Sequence, residues 1–168
     1  MILIGLGGNL PSPKYGPPEK TLLAALERLS ATGITVAACS KFYSSAPVPA
    51  SDQPWYVNAV ARIETGLDPK PLLEAILALE RDFGRTRSVA NAARVLDIDL
   101  LVYGDLVTGP EAVPALPHPR LEQRAFVLCP LAEIAPDWRH PASGRPLAAL
   151  IAALPPGQTA QMMRPHTA

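Results

Sequence analysis

Asp97 and Asp99 stand two residues apart, alternating with Ile98 and Leu100. In a strand this sends both carboxylates to one face, with Cα atoms about 6.6 Å apart, and the apolar pair to the other. Hard oxygen donors at that spacing suit two divalent cations bridged by shared carboxylates. Just upstream, Arg85, Arg87 and Arg94 form a cationic set on a loop able to fold over the same face. Carboxylates for Mg2+ and guanidinium groups for phosphate oxygens together point to a nucleoside triphosphate site. Taken alone, a D-x-D strand is equally a solvated edge, and clustered arginines a solvated loop. What decides between these readings is the set of elements that must position the two groups.

Glu80 to Leu101 reads as the end of a helix, a loop, and a buried strand running from Val95 to Tyr103. Upstream, Met1 to Leu6 is nearly all apolar, as a central strand requires, and Gly7-Gly8-Asn9 reads as a tight turn. No G-x-x-x-x-G-K-[ST] follows, which excludes a P-loop. A helix is predicted from Pro17 or Pro18 to Thr32, striped by Leu22, Leu26 and Leu29 and stopped by Gly33. Ile34 to Tyr43 reads as the second strand and Trp55 to Thr65 as the third, joined by a long proline-bearing connection. In the third, Val57, Ala59, Ala61 and Ile63 face the core, while Tyr56, Asn58, Arg62 and Glu64 face away. Asp68 is the predicted cap of the next helix, Pro69 its first turn, Leu72, Ile76, Leu79 and Phe83 its stripe, and Gly84 its stop. The order β-α-β-β-α-β predicts an α+β, ferredoxin-like sandwich with both helices on one face of the sheet. The other face is then open, carrying Tyr56, Asn58, Asp97 and Asp99 together. Past Gly104-Asp105 the pattern predicts a weaker hairpin around Gly109-Pro110, then short helices over 120–128, 129–135 and 146–154. Residues 1–157 read as a single domain, and 158–168 as an aperiodic tail expected to fray.

Fifteen Lys plus Arg balance fifteen Asp plus Glu across 168 residues, so no global field draws the chain to nucleic acid or a membrane surface. Cys39 and Cys129 lack any CxxC or Cys/His spacing and read as small buried hydrophobes in a reducing compartment. The apolar opening MILIGLGG is too short for a signal core, so a cytoplasmic monomer is expected. Trp55 and Trp138 read as structural, His140 and His166 as surface residues. An RNA-binding module shares this strand order, but the K/R-G-F/Y-G/A-F-V-x-F/Y strand is missing. A non-catalytic small-molecule sensor would need neither the paired carboxylates nor the arginine loop.

Several short motifs occur in one order: GGNL at 7–10, FYSSAPV at 42–48, DQPWYVNAV at 52–60, GRTR at 84–87, RVLDIDLLVYG at 94–104 and LPHPRLEQRAFVLCPLAEIAP at 116–136. On these the chain resembles the 6-hydroxymethyl-7,8-dihydropterin pyrophosphokinases of folate biosynthesis. The resemblance implies that the β,γ-diphosphate of ATP passes to the pterin hydroxymethyl group with release of AMP. It implies two Mg2+ ions on Asp97 and Asp99, and catalytic roles for Arg85 and Arg94. Glu80, Arg87, His118 and Arg124, with Arg85 and Arg94, are implied ATP contacts. Ser45, Val48, Tyr56, Asn58 and Phe126 are the implied pterin-binding residues. No His or Glu stands out as general base, and a metal-bound Asp is the first candidate. The chain departs from the family at Asn91-Ala92-Ala93, where Trp-Gly-Pro is frequent, and in its longer proline-rich loop at 11–18.

Overall fold

The computed structural model describes residues 1–84 and 92–164. Strand β1 (Ile2–Gly8) lies at the centre, antiparallel to β4 (Tyr56–Glu64) on one side and to β5 (Asp97–Tyr103) on the other. β1 thus extends through Gly7 and Gly8, which the sequence reads as the turn beyond it. The far edge of β4 is shared between two short strands, β2 (Thr35–Cys39) and β3 (Tyr43–Ser45). The predicted single strand 34–43 is therefore broken, and Ser40 shows why. Its hydroxyl accepts the Val60 amide at 3.0 Å and donates to the Lys41 carbonyl at 2.8 Å, so a side chain takes over part of the ladder. A last strand, β6 (Gln161–Met162), adds outside β3, giving the order β5-β1-β4-β3-β6.

Helices α1 (Pro18–Ala31) and α2 (Pro69–Asp82) cover one face, as their leucine stripes predict. Leu22, Leu29, Leu72 and Ile76 pack there against Ile4, Leu6, Ala59, Ile63 and Ile98. Both helices begin with Pro in the first turn, and Asp68 occupies the N-cap position without a side-chain cap bond. Gly33 and Gly84, at φ 81° and 85°, follow the two helix ends in the left-handed region open to a residue without Cβ.

The opposite face is not open along its length. Helices α3 (Ala125–Ile134) and α4 (Leu147–Ala152) cover half of it, building a second core from Leu3, Val60, Leu101, Leu128, Leu131, Trp138, Leu147 and Leu150. α3 runs unbroken across Leu128 and Cys129, where the sequence predicts a boundary between two helices, and holds Pro130 within it. The Tyr43 hydroxyl donates to Glu133 Oε1, and the Lys41 amide donates to Glu133 Oε2 at 3.0 Å, tying α3 to the sheet edge. Burial and the Glu133 carboxylate raise the Tyr43 phenol pKa far above its usual range, so the phenol keeps the proton it donates.

Three further expectations differ from what is seen. Residues 104–120 hold turns and no strand, organised by the Leu116 amide donating to Thr108 Oγ1 at 2.7 Å. The tail does not fray at 158 but is docked through β6. Cys39 is exposed rather than buried. Among the described residues, no helix is long and apolar enough to cross a membrane.

Candidate active site

What α3 and α4 leave uncovered is the end of the sheet where Asp97, Gly7 and Asn58 stand side by side on β5, β1 and β4. Two pairs further along, and so on the same face, Asp99 lies opposite Gly5. Direct partners in an antiparallel ladder share a face, so both carboxylates and the Asn58 amide look onto one trough with no side chain of its own at Gly7, while at Gly5 the Leu101 side chain comes within 3.3 Å of where a Cβ would lie. A Cβ on Gly7 would sit 3.1 Å from Asn58 Oδ1, which places that oxygen over the floor. Asn58 is 4% exposed, and its Nδ2 donates to Ser45 Oγ at 2.8 Å and to the Tyr43 carbonyl at 3.4 Å. With its amide nitrogen so committed, Oδ1 is the group offered to a ligand.

Each carboxylate already faces a guanidinium. Arg94 Nη1 lies 3.0 Å from Asp97 Oδ2, and Arg124 Nη1 lies 3.0 Å from Asp99 Oδ2. The Arg124 guanidinium also lies over the Phe126 ring, 5.3 Å from its centroid. His118 Nε2 is 3.9 Å from the same Asp99 oxygen. The Arg120 amide donates to His118 Nδ1 at 3.1 Å, so the neutral ring carries its proton on Nε2, towards Asp99. Burial lowers the His118 pKa, helped by Arg124 and Arg120, and the nearby carboxylates only partly oppose this.

The turn-like GGN segment turns out to be what fixes Arg94. A Cβ on Gly8 would lie 2.4 Å from the Val95 carbonyl oxygen, so only glycine admits this approach. Asn9, 2% exposed, accepts the Arg94 amide on Oδ1 at 2.9 Å, and its own amide donates to the Arg94 carbonyl at 2.9 Å. Asn9 Nδ2 reaches Gln53 Oε1 at 3.2 Å and the Pro54 carbonyl at 3.0 Å. The Tyr56 hydroxyl donates to Gln53 Oε1 at 3.2 Å, with the Ala92 carbonyl at 3.4 Å. Burial raises the Tyr56 pKa against the pull of Arg94. Asn9 and Gln53 thus connect Tyr56 on one side of the trough to Arg94 on the other, a role the sequence does not announce. The signal was present in two motifs, GGNL and DQP, whose polar residues sit beside glycine and proline.

Ser45 is buried and Phe126 half-buried beside the trough, while Val48 is exposed on the connection after β3. Glu80 is fully buried on α2, and its Oε1 accepts the Ile98 amide at 2.6 Å. In this position the carboxylate braces the strand between Asp97 and Asp99 from behind. Arg85, Arg87 and Asn91 lie outside the described residues, as does His166. Trp55 is exposed, whereas His140 is buried near Glu122 and accepts the Ser143 amide at 3.2 Å.

Residues 3–136 match the sequence profile of the 7,8-dihydro-6-hydroxymethylpterin-pyrophosphokinase family. The chain belongs to this family. It is similar to the 2-amino-4-hydroxy-6-hydroxymethyldihydropteridine pyrophosphokinase of Pseudomonas aeruginosa, 41% identical over 92% of this chain and 91% of that protein. The protein of the same name from Synechocystis is 41% identical over 89% of this chain and 73% of its own length. The folic acid synthesis protein fol1 of Pneumocystis carinii is 37% identical over 88% of this chain, which spans 19% of that longer protein.

Proposed function

We propose that the chain transfers the β,γ-diphosphate of ATP to the hydroxymethyl oxygen of 6-hydroxymethyl-7,8-dihydropterin, releasing AMP, in the folate pathway. The observation that supports this reading is the Asp97–Gly7–Asn58 row, in which a carboxylate able to hold a divalent cation and a buried side-chain amide lie side by side on one face of the sheet. Asn58 Oδ1 accepts from the pterin amino group, while Tyr56 and Phe126 flank the ring. The order β5-β1-β4-β2, with α1 and α2 on one face, supports a ferredoxin-like core to which β3, β6, α3 and α4 are added.

The donor chemistry fits Mg2+. This ion takes one or two carboxylates and completes its shell with water and substrate phosphate oxygens, and among the described residues no cluster of three or more acidic, His or Cys ligands exists to hold it tightly alone. Asp97 and Asp99 would hold it, and when bound it supplies charge neutralisation to the triphosphate. Arg94 and Arg124 lie close enough to the same face for phosphate oxygens brought there to come within their reach. His118 acts as a hydrogen-bond donor, since its Nδ1 lone pair is already occupied by the Arg120 amide. It is therefore not the base for the attacking hydroxyl.

The test is an incubation with ATP, Mg2+ and the hydroxymethyl dihydropterin, resolving the adenine nucleotides. AMP should rise in step with pterin diphosphate. Stoichiometric ADP would instead make this an ordinary kinase or ATPase.

A further inference from the structure

The trough has two walls that belong to different parts of the chain. One is β3 and the connection after it, carrying Ser45 beneath Asn58. The other is the start of α3, carrying Arg124 and Phe126. Residues 158–163, beyond the family-matched 3–136, touch both. Thr159 Oγ1 accepts the Ala46 amide at 3.2 Å, one residue past Ser45. Gln158 Oε1 accepts the Ala125 amide at 2.7 Å, between Arg124 and Phe126, while Gln158 Nε2 donates to the Gln123 carbonyl. Arg124, at the N-cap of α3, makes no side-chain cap bond, and Gln158 satisfies the amide of the first helical residue, Ala125, one of the donors left without a partner inside the helix. The segment is then pinned in register, with Met162 opposite Tyr43, Gln161 opposite Ser44, and the Met163 amide donating to the Phe42 carbonyl at 2.8 Å.

We propose that Gln158 and Thr159 form a positioning clip that fixes the span between the two walls and so sets the affinity for the pterin. This rests on the function proposed above. Neither residue reaches the trough floor by any contact in the structure, so both act through Ala46 and Ala125. Adjacent residues that bond to opposite walls allow little independent movement of either. Loss of one bond should widen the gap that the pterin ring must fill, whereas the Asp97–Arg94 side, held by Asn9 and Gly8, should be undisturbed.

The full-length chain carrying Thr159→Val, Thr159→Ser or Gln158→Ala is compared with the parent in steady-state kinetics, varying pterin and ATP separately. Thr159→Val should raise the pterin KM roughly three- to tenfold, the cost of one neutral hydrogen bond. Its ATP KM should stay within about twofold, and Thr159→Ser, which keeps the hydroxyl, should restore the parent value. Gln158→Ala should raise the pterin KM at least as much and quicken amide exchange at Ala125. A parent that forms no pterin diphosphate would sink the proposed function. A parent that does, beside Thr159→Val and Gln158→Ala variants with unchanged pterin KM, would sink the clip alone. So would a Thr159→Val variant whose only change is a lower melting temperature.

Discussion

Because Arg94 and Arg124 each hold one carboxylate, removing either acid leaves a partly buried guanidinium facing an empty place. We expect Asp97→Ala and Asp99→Ala to retain the fold and lose turnover, with circular dichroism and AMP release as the paired measurements. Substantial activity at ordinary Mg2+ would show the D-x-D to be structural. Asn58→Ala should weaken pterin binding by about 1–3 kcal/mol, the cost of leaving the Ser45 hydroxyl and the ring edge unpaired, with nucleotide affinity little changed. Isothermal titration with each ligand separates the two. His140 gives a pH prediction far from the chemistry. Burial lowers its pKa below the ordinary 6.5, outweighing the Glu122 carboxylate. The unfolded chain therefore takes up this proton at higher pH than the fold does. The stabilisation is complete above about pH 6.5 and is lost as pH falls below it. Thermal melts between pH 8 and 5 should show this slope, shallower in His140→Gln. At this scale the sequence was informative about donor types and poor about depth. Nothing in the alternation of Glu80 with its neighbours says that its carboxylate points inward to the Ile98 amide, because helical periodicity reports the face of a residue and not what a long side chain reaches.

Between elements, the connections prove more exacting than the strands they join. Gly8→Ala would push a methyl group against the Val95 carbonyl at 2.4 Å and lift the segment carrying Arg94 off the end of β1. We expect turnover to drop by more than tenfold with secondary structure intact, read from kcat against far-ultraviolet dichroism. Glu80→Ala should behave otherwise. It strands the buried Ile98 amide at a cost of about 1–3 kcal/mol, visible as a lower denaturation midpoint. A selective rise in ATP KM without that destabilisation would assign Glu80 to the nucleotide instead. The leucine stripes of α1 and α2 were legible because a helix covered on one side writes its burial into its period, whereas β4 is buried on both faces from Val57 to Ala61 and only its first-core face was read. The break between β2 and β3 was not, since it depends on the Ser40 hydroxyl meeting Val60 twenty residues away. The continuity of α3 across 128–129 was equally hidden: packing of Leu128 and Leu131 in the second core outweighs the local cost of Pro130 inside the helix.

Across the whole molecule the sheet is shared by two cores, and one of them packs beneath the helix that begins a wall of the trough. Leu131 packs in the core under α3, the helix that carries Arg124 and Phe126 at its start, whereas Leu22 packs beneath α1. Alanine at either should cost about 2–5 kcal/mol in chemical denaturation. Only Leu131→Ala should also raise substrate KM values. The second core escaped the sequence reading because α3 and α4 contribute short, nearly all-apolar runs with no polar face to mark their orientation. Half a covered sheet also has a pharmacological side. A compound lying on the floor between Asp97 and Asn58 rests on backbone at Gly7, where there is no side chain for a mutation to take away. Escape would require adding atoms, and the first atom added at Gly7 arrives 3.1 Å from Asn58 Oδ1. Resistance to such a compound has to arise in the walls.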